Sequence, residues 1–142
     1  MRALSVVSCC AALLLAGCGG PAGPAELDPR HDACAWCRMT VSDRHFASQV
    51  VAPSEEPRFF DDLGCLAAWL RENPLPDEAR AFVADHRTGA WVDARHAVFS
   101  RAPALATPMG SNLIAHADDA SRTADAAAAG AADVPPAEVL GQ

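Results

Sequence analysis

The stretch "FASQVVAPSEEPRFFDDLGCLAAWLRENP", Phe46 to Pro74, carries the change of period that decides the fold class. "FASQVVA" (Phe46 to Ala52) reads as a strand, "PSEEP" (Pro53 to Pro57) as a turn and "RFF" (Arg58 to Phe60) as a second extended piece. Asp61 or Asp62 then offers a side-chain oxygen to the free amides of a helix start. Leu63, Leu66, Ala67 and Leu70 recur at helical spacing, and "NPLP" (Asn73 to Pro76) ends the helix. Strand, strand and helix within 29 residues predict an α+β unit.

Outward from this unit the recipe is repeated loosely. Upstream, Met39 and Val41 alternate with Thr40 and Ser42, which predicts a short strand, and "SDRH" (Ser42 to His45) is turn-like. Downstream, "AFVAD" (Ala81 to Asp85) and "AWVDA" (Ala90 to Ala94) flank "HRTG", a hairpin with Gly89 at its turn. "AVFS" (Ala97 to Ser100) is a third strand, and "APALATPMG" (Ala102 to Gly110) a loop. Ser111 or Asn112 can cap a helix through Leu113, Ile114 and Ala117. Beyond about Ser121 the chain is alanine-rich, favouring helix by propensity while offering little to bury. Its end, Asp133 to Leu140, packs back or frays. The expectation is one small α+β domain over residues 34–142, made of two ββαβ-like halves.

The chain begins "MRALSVVSCCAALLLAGCGG". One arginine precedes an apolar run too short to span a bilayer, and the run ends in small residues. Leu15-Ala16-Gly17-Cys18 resembles the bacterial lipoprotein signal. That predicts removal of residues 1–17, acylation of Cys18, and a periplasmic domain held by lipid. Gly19 rather than Asp after the cysteine points to the outer membrane. Residues 18–33, rich in Gly, Pro and Ala, read as a flexible tether. All 11 basic residues are arginine, against 18 Asp and Glu, for a formal net charge of −7. With no basic stripe, nucleic acid is excluded as the expected partner.

Of six cysteines, Cys34, Cys37 and Cys65 remain after signal removal and lipidation, an odd number in an oxidising compartment. "CAWCRM" (Cys34 to Met39) places a methionine beside a CxxC, and the other internal methionine, Met109, lies in the punctuated loop "TPMG". Soft thiolate and thioether donors select Cu(I). In an extended segment Cys37 and Met39 would face one ion. Two alternatives stand beside this. A thioredoxin-like thiol–disulfide site needs its CxxC at a helix start, which the alternation after Cys37 does not supply. A structural zinc site would need a distant histidine to complete three cysteines. Cys65 reads as a buried small hydrophobe, and Asp61 and Asp62 as helix caps, one of which could instead contact a partner or a metal. No nucleophile–base pair, phosphate loop or hydrolase motif marks an enzyme.

"CAWCRM", "FASQVV", "FFDDLGC", "WVDA" and "TPMGSNLIAHAD" in this order resemble the NosL family, over roughly Cys34 to Asp119. The resemblance implies a lipid-anchored Cu(I) chaperone that supplies nitrous oxide reductase, directly or through its ABC-type assembly complex. It implies two ββαβ-like halves, related in shape to an organomercurial lyase domain. It marks Cys34, Cys37 and Met39 as Cys-x-x-Cys-x-Met, and Met109 within Pro108-Met109-Gly110, as the metal site. The chain departs from the family at Arg38, where glycine is usual, and at His116, where an aromatic is expected; His116 reads as a helix-surface residue, with an extra metal ligand as the alternative. If Cys18 is the anchor, Cys18→Ser will leave the chain unprocessed or free in the periplasm. Fatty-acid label retained on that variant in metabolic labelling would show the anchor to be elsewhere.

Overall fold

The structure is a computed structural model that describes residues 23–141. Cys18 and the signal segment lie outside the described residues. Two antiparallel sheets share the core. The first holds β1 (Ser48–Val51), β2 (Arg58–Phe60), β3 (Arg80–Ala84) and β4 (Trp91–Asp93), in the order β2-β1-β3-β4. The second holds β5 (Val98–Arg101), β6 (Leu113–His116) and β7 (Ala132–Val134), in the order β6-β5-β7. Helices α1 (Leu63–Glu72), α2 (Asp119–Ala124) and α3 (Pro136–Leu140) complete the chain.

The two halves have one topology. In each, the first strand is central, flanked by the second strand and by the strand after the helix. Ser48 faces Phe60 across β1–β2 as Val98 faces His116 across β5–β6. Each second strand leads in two residues to a helix capped by aspartate: Asp62 accepts from Gly64 N–H, and Asp118 from Ser121 N–H.

The repeat extends to a turn before each half. In the first, Cys34 N–H donates to Met39 O, Arg38 N–H to Cys34 O, and Ala35 N–H to Phe59 O. In the second, Asp85 N–H donates to Ala90 O, Gly89 N–H to Asp85 O, and His86 N–H to Ala115 O. The fifth residue of each turn is left-handed: Arg38 at φ 69° and Gly89 at φ 71°. "CAWCRM" and "DHRTGA" are thus the same turn in two copies.

Several expectations are corrected. Residues 39–42 form no strand, because the backbone of Met39 closes the turn onto Cys34 and only Thr40 bridges back to Ala33. Residues 113–117 are not helical: Leu113–His116 is the strand β6, buried along its whole length. A four-residue segment covered on both faces shows no period, so its apolar run is equally compatible with a helix. Asn112 precedes it at φ 58°, a turn conformation rather than a cap. His116 is therefore fully buried in a sheet, not on a helix surface. The hairpin Ala81–Ala94 belongs to the first sheet, so the second half begins at Val98. The alanine-rich end supplies β7, paired with β5, and the buried Val139. The segment read as tether reaches into the fold: Leu27 is buried, and Ala25 exchanges two hydrogen bonds with the Gln49 side chain.

Where the halves meet, the loop before β6 lies on the start of α1. A Cβ on Gly64 would stand 2.7 Å from Ser111 Cβ, so only glycine admits that approach. Asp62, fully buried, accepts from Thr107 Oγ1 at 2.7 Å and Met109 N–H at 2.9 Å as well as from Gly64. Burial opposes its charge, but these donors and Ser111 together hold its carboxyl below the usual range. The turn before the second half has its own buried carboxylate, Asp85, at the place of Cys34. It accepts from Thr88 N–H at 2.9 Å, Thr88 Oγ1 at 3.0 Å and Ala117 N–H at 2.8 Å. Truncation would remove three hydrogen bonds made to a buried, charged acceptor, each worth about 1.5–3 kcal/mol at most, from donors on exposed residues. Asp85→Ala should therefore lose roughly 3 kcal/mol in chemical denaturation. A loss below about 1 kcal/mol would mean that water replaces the carboxylate freely.

Candidate metal centre

The turn at Cys34–Met39 folds its two cysteines inward over the end of β2. Cys34 is fully buried and Cys37 half-buried. The Cys37 amide approaches Cys34 Sγ at 3.5 Å, as the Thr88 amide approaches Asp85 in the second copy. Asp61, between β2 and α1, points both carboxylate oxygens at Cys37 Sγ, each at 3.4 Å. Cys65, in the first turn of α1, brings the third thiol. One donor atom from each of Cys34, Cys37, Asp61 and Cys65 lies within 4.8 Å of all the others. All three cysteines are unpaired thiols.

Two of these four were assigned other roles from sequence. Cys65 is buried, as expected of a small hydrophobe, but its sulfur also faces the cluster. Asp61 is not the helix cap; Asp62 is, which frees the Asp61 carboxylate to face the thiols. The available signal was the capping requirement. One aspartate of the pair satisfies the helix, and the other must find a different partner in the interior.

Electrostatics keep part of the cluster protonated. Burial pushes the Cys37 thiol up, and its hydrogen bonds with Cys34 and Asp61 add to the shift. Burial, the neighbouring sulfurs and Asp61 push Cys65 up further still. Such a site has little tendency to hold bare thiolates. A cation that binds must displace the protons and replace them as the positive partner of the carboxylate. The donor set fits a thiophilic ion: three sulfurs are soft, and one oxygen accommodates a borderline cation.

The predicted methionines lie outside this buried group. Met39 is 58% exposed and Met109 47% exposed. The cluster binds each through its backbone: Met39 O holds Cys34 N–H, and Met109 N–H is held by Asp62, next to Asp61. With Trp36 they are the exposed large hydrophobic side chains among the described residues. The exposed apolar surface is thus contributed by the turn that carries Cys34 and Cys37 and by the loop tied to Asp62.

The turn, the end of the second strand and the helix of one half-repeat together gather three thiols and a carboxylate that could hold a metal ion. The NosL family profile matches residues 24–136, and the chain belongs to that family of copper-binding accessory proteins. No curated protein and no solved structure matches the chain. The match includes residues 24–33, in agreement with the packing of Ala25 and Leu27.

Arg38 occupies a left-handed position that costs a non-glycine residue about 1–2 kcal/mol, and the second turn has Gly89 there. Glycine adds unfolded-state freedom worth about 0.5–1 kcal/mol, so strain outweighs it. Arg38→Gly should raise stability by roughly 0.5–1 kcal/mol in denaturant titrations. A loss of stability would mean that the Arg38 side chain holds the turn in a way its backbone angle conceals.

Proposed function

We propose that the chain is a lipid-anchored periplasmic chaperone for Cu(I), anchored at Cys18, that supplies nitrous oxide reductase or its ABC-type assembly complex. The carrying observation is the layering of the donors. Three thiols and a carboxylate converge in the interior, and two thioethers stand exposed on the elements that enclose them. Copper is the cargo. Cys34 and Cys37 are its central ligands, with Cys65 in reach, and Met39 and Met109 are the donors accessible to a partner. Thioethers are neutral and bind Cu(I) more weakly than thiolates, so an outer pair of methionines provides a release route that a closed thiolate site lacks. Membrane attachment rests on the lipid signal; no helix among the described residues is long and apolar enough to cross a bilayer.

Asp61 gives a second reading specific support. Three cysteines and a carboxylate also make an acceptable tetrahedral zinc site, with no histidine required. Methionine separates the two readings, since zinc makes little use of thioethers. Met109→Leu and Met39→Leu each nearly conserve volume and cost under about 1.5 kcal/mol in stability. Each should weaken Cu(I) binding and transfer in anaerobic competition titrations, leave Zn(II) binding unchanged and barely move the melting temperature. The double variant should lose less than the sum, because both residues serve one site. Unchanged Cu(I) affinity with an unchanged sulfur count by X-ray absorption would reduce Met109 to a packing residue. Zn(II) bound in preference to Cu(I) would favour the structural reading.

A further inference from the structure

The second half carries its own cluster, with different donors. His116 on β6 places Nε2 2.9 Å from Asp125 Oδ2, and His86 in the second turn places Nδ1 2.6 Å from the same oxygen. His116 is fully buried, and the side chains of His86 and Asp125 are nearly so. The other Asp125 oxygen accepts from Ala127 N–H, which fixes the carboxylate between α2 and the following 3-10 turn. His86 occupies the place in its turn that Ala35 holds in the first, one residue after the anchoring side chain, and His116 the place of Phe60 in its strand. The cluster therefore sits beside, not at, the place that corresponds to the thiols of the first half. Asp85, Thr88 and Ser121 stand where Cys34, Cys37 and Cys65 stand, but they are spent on hydrogen bonds around Asp85.

We infer that His86, His116 and Asp125 form a second metal site, which takes a divalent first-row cation such as Zn(II) or Cu(II) rather than Cu(I). Two imidazoles and a carboxylate are borderline-to-hard donors and suit these ions, whereas the sulfurs of the first half suit Cu(I). The geometry is close to what is needed. Nitrogen and oxygen ligands on a tetrahedral ion stand roughly 3.3 Å apart, for bonds of about 2.0–2.2 Å. Both nitrogens already converge on one oxygen, so opening by roughly half an ångström admits the ion, and water completes the coordination. Binding through His86 Nδ1 and His116 Nε2 leaves each neutral ring its proton on the other nitrogen. His116 Nδ1 is buried without a partner. A ligating histidine usually donates its second N–H to an acceptor, and loss of that support costs about 10–100-fold in affinity. The site is thus weak and exchangeable.

The proposal is independent of the Cu(I) reading, and its test uses the full chain with the first site silenced in two ways. In one arm the thiols are preloaded anaerobically with Cu(I); in the other Cys34, Cys37 and Cys65 are changed to Ser. Zn(II) and Cu(II) are titrated against both. One further equivalent should bind. The His86 and His116 ring protons should shift on Zn(II) in NMR spectra, and Cu(II) should show nitrogen coupling in electron paramagnetic resonance. His86→Gln, which can still donate to Asp125, should weaken binding at least tenfold, and so should His116→Phe, which copies Phe60. If the triple Ser variant does not fold, the Cu(I)-loaded arm decides. Unshifted His86 and His116 resonances at saturating Zn(II), or unchanged affinity in His86→Gln, would overturn the site.

Discussion

The buried carboxylate of Asp62 is the constraint on which the arrangement depends. It caps α1, and it also receives Thr107 and Met109 from the loop of the other half. A buried charge is tolerated only when its donors are in place, so the helix start, the loop and the interface between sheets must form together. The consequence reaches the site next door. Because Asp62 satisfies the helix, Asp61 is free to turn towards Cys37. Because Asp62 holds Met109 N–H, that methionine is fixed beside the first half although it belongs to the second. Gly64 permits the close approach that the network needs.

Equivalent turns with unlike chemistry explain how one fold keeps two clusters apart. The backbone bonds of residues 34–39 and 85–90 coincide, so the scaffold does not distinguish the copies. Side chains do. Sulfur at Cys34, Cys37 and Cys65 leaves weak hydrogen bonds that a thiophilic ion can replace. Oxygen at Asp85, Thr88 and Ser121 makes short bonds that an ion would have to break. The remaining donors of the second half, His86, His116 and Asp125, are gathered one layer away.

Much of this was legible where the chain has a strong period or a sharp stop. The helix after Asp62, the hairpin around Gly89 and the α+β class follow from spacing and turn residues. Cys34 and Cys37 stood out because a CxxC is local. Cys65 and Asp61 did not, because their place at the site depends on β2 and α1 meeting the turn, a contact between segments distant in sequence. Leu113–His116 failed for a different reason: a strand buried on both faces carries no alternation to read. The internal repeat was legible as two strand–strand–helix halves, but its residue-by-residue register was not, since matching positions hold unlike residues, Cys34 against Asp85 and Phe60 against His116. Only backbone hydrogen bonds and strand register make the equivalence visible.

The second turn answers a question about the first that no single-copy protein can. It is the same loop, folded with no sulfur at all and held by matching backbone bonds together with the Asp85 carboxylate, so its shape does not require an ion. An empty first turn can therefore hold its shape as the second does. On the proposed reading of the chain as a copper carrier, a vessel whose walls stand without its contents can be emptied and refilled, unlike a domain that a metal staples together.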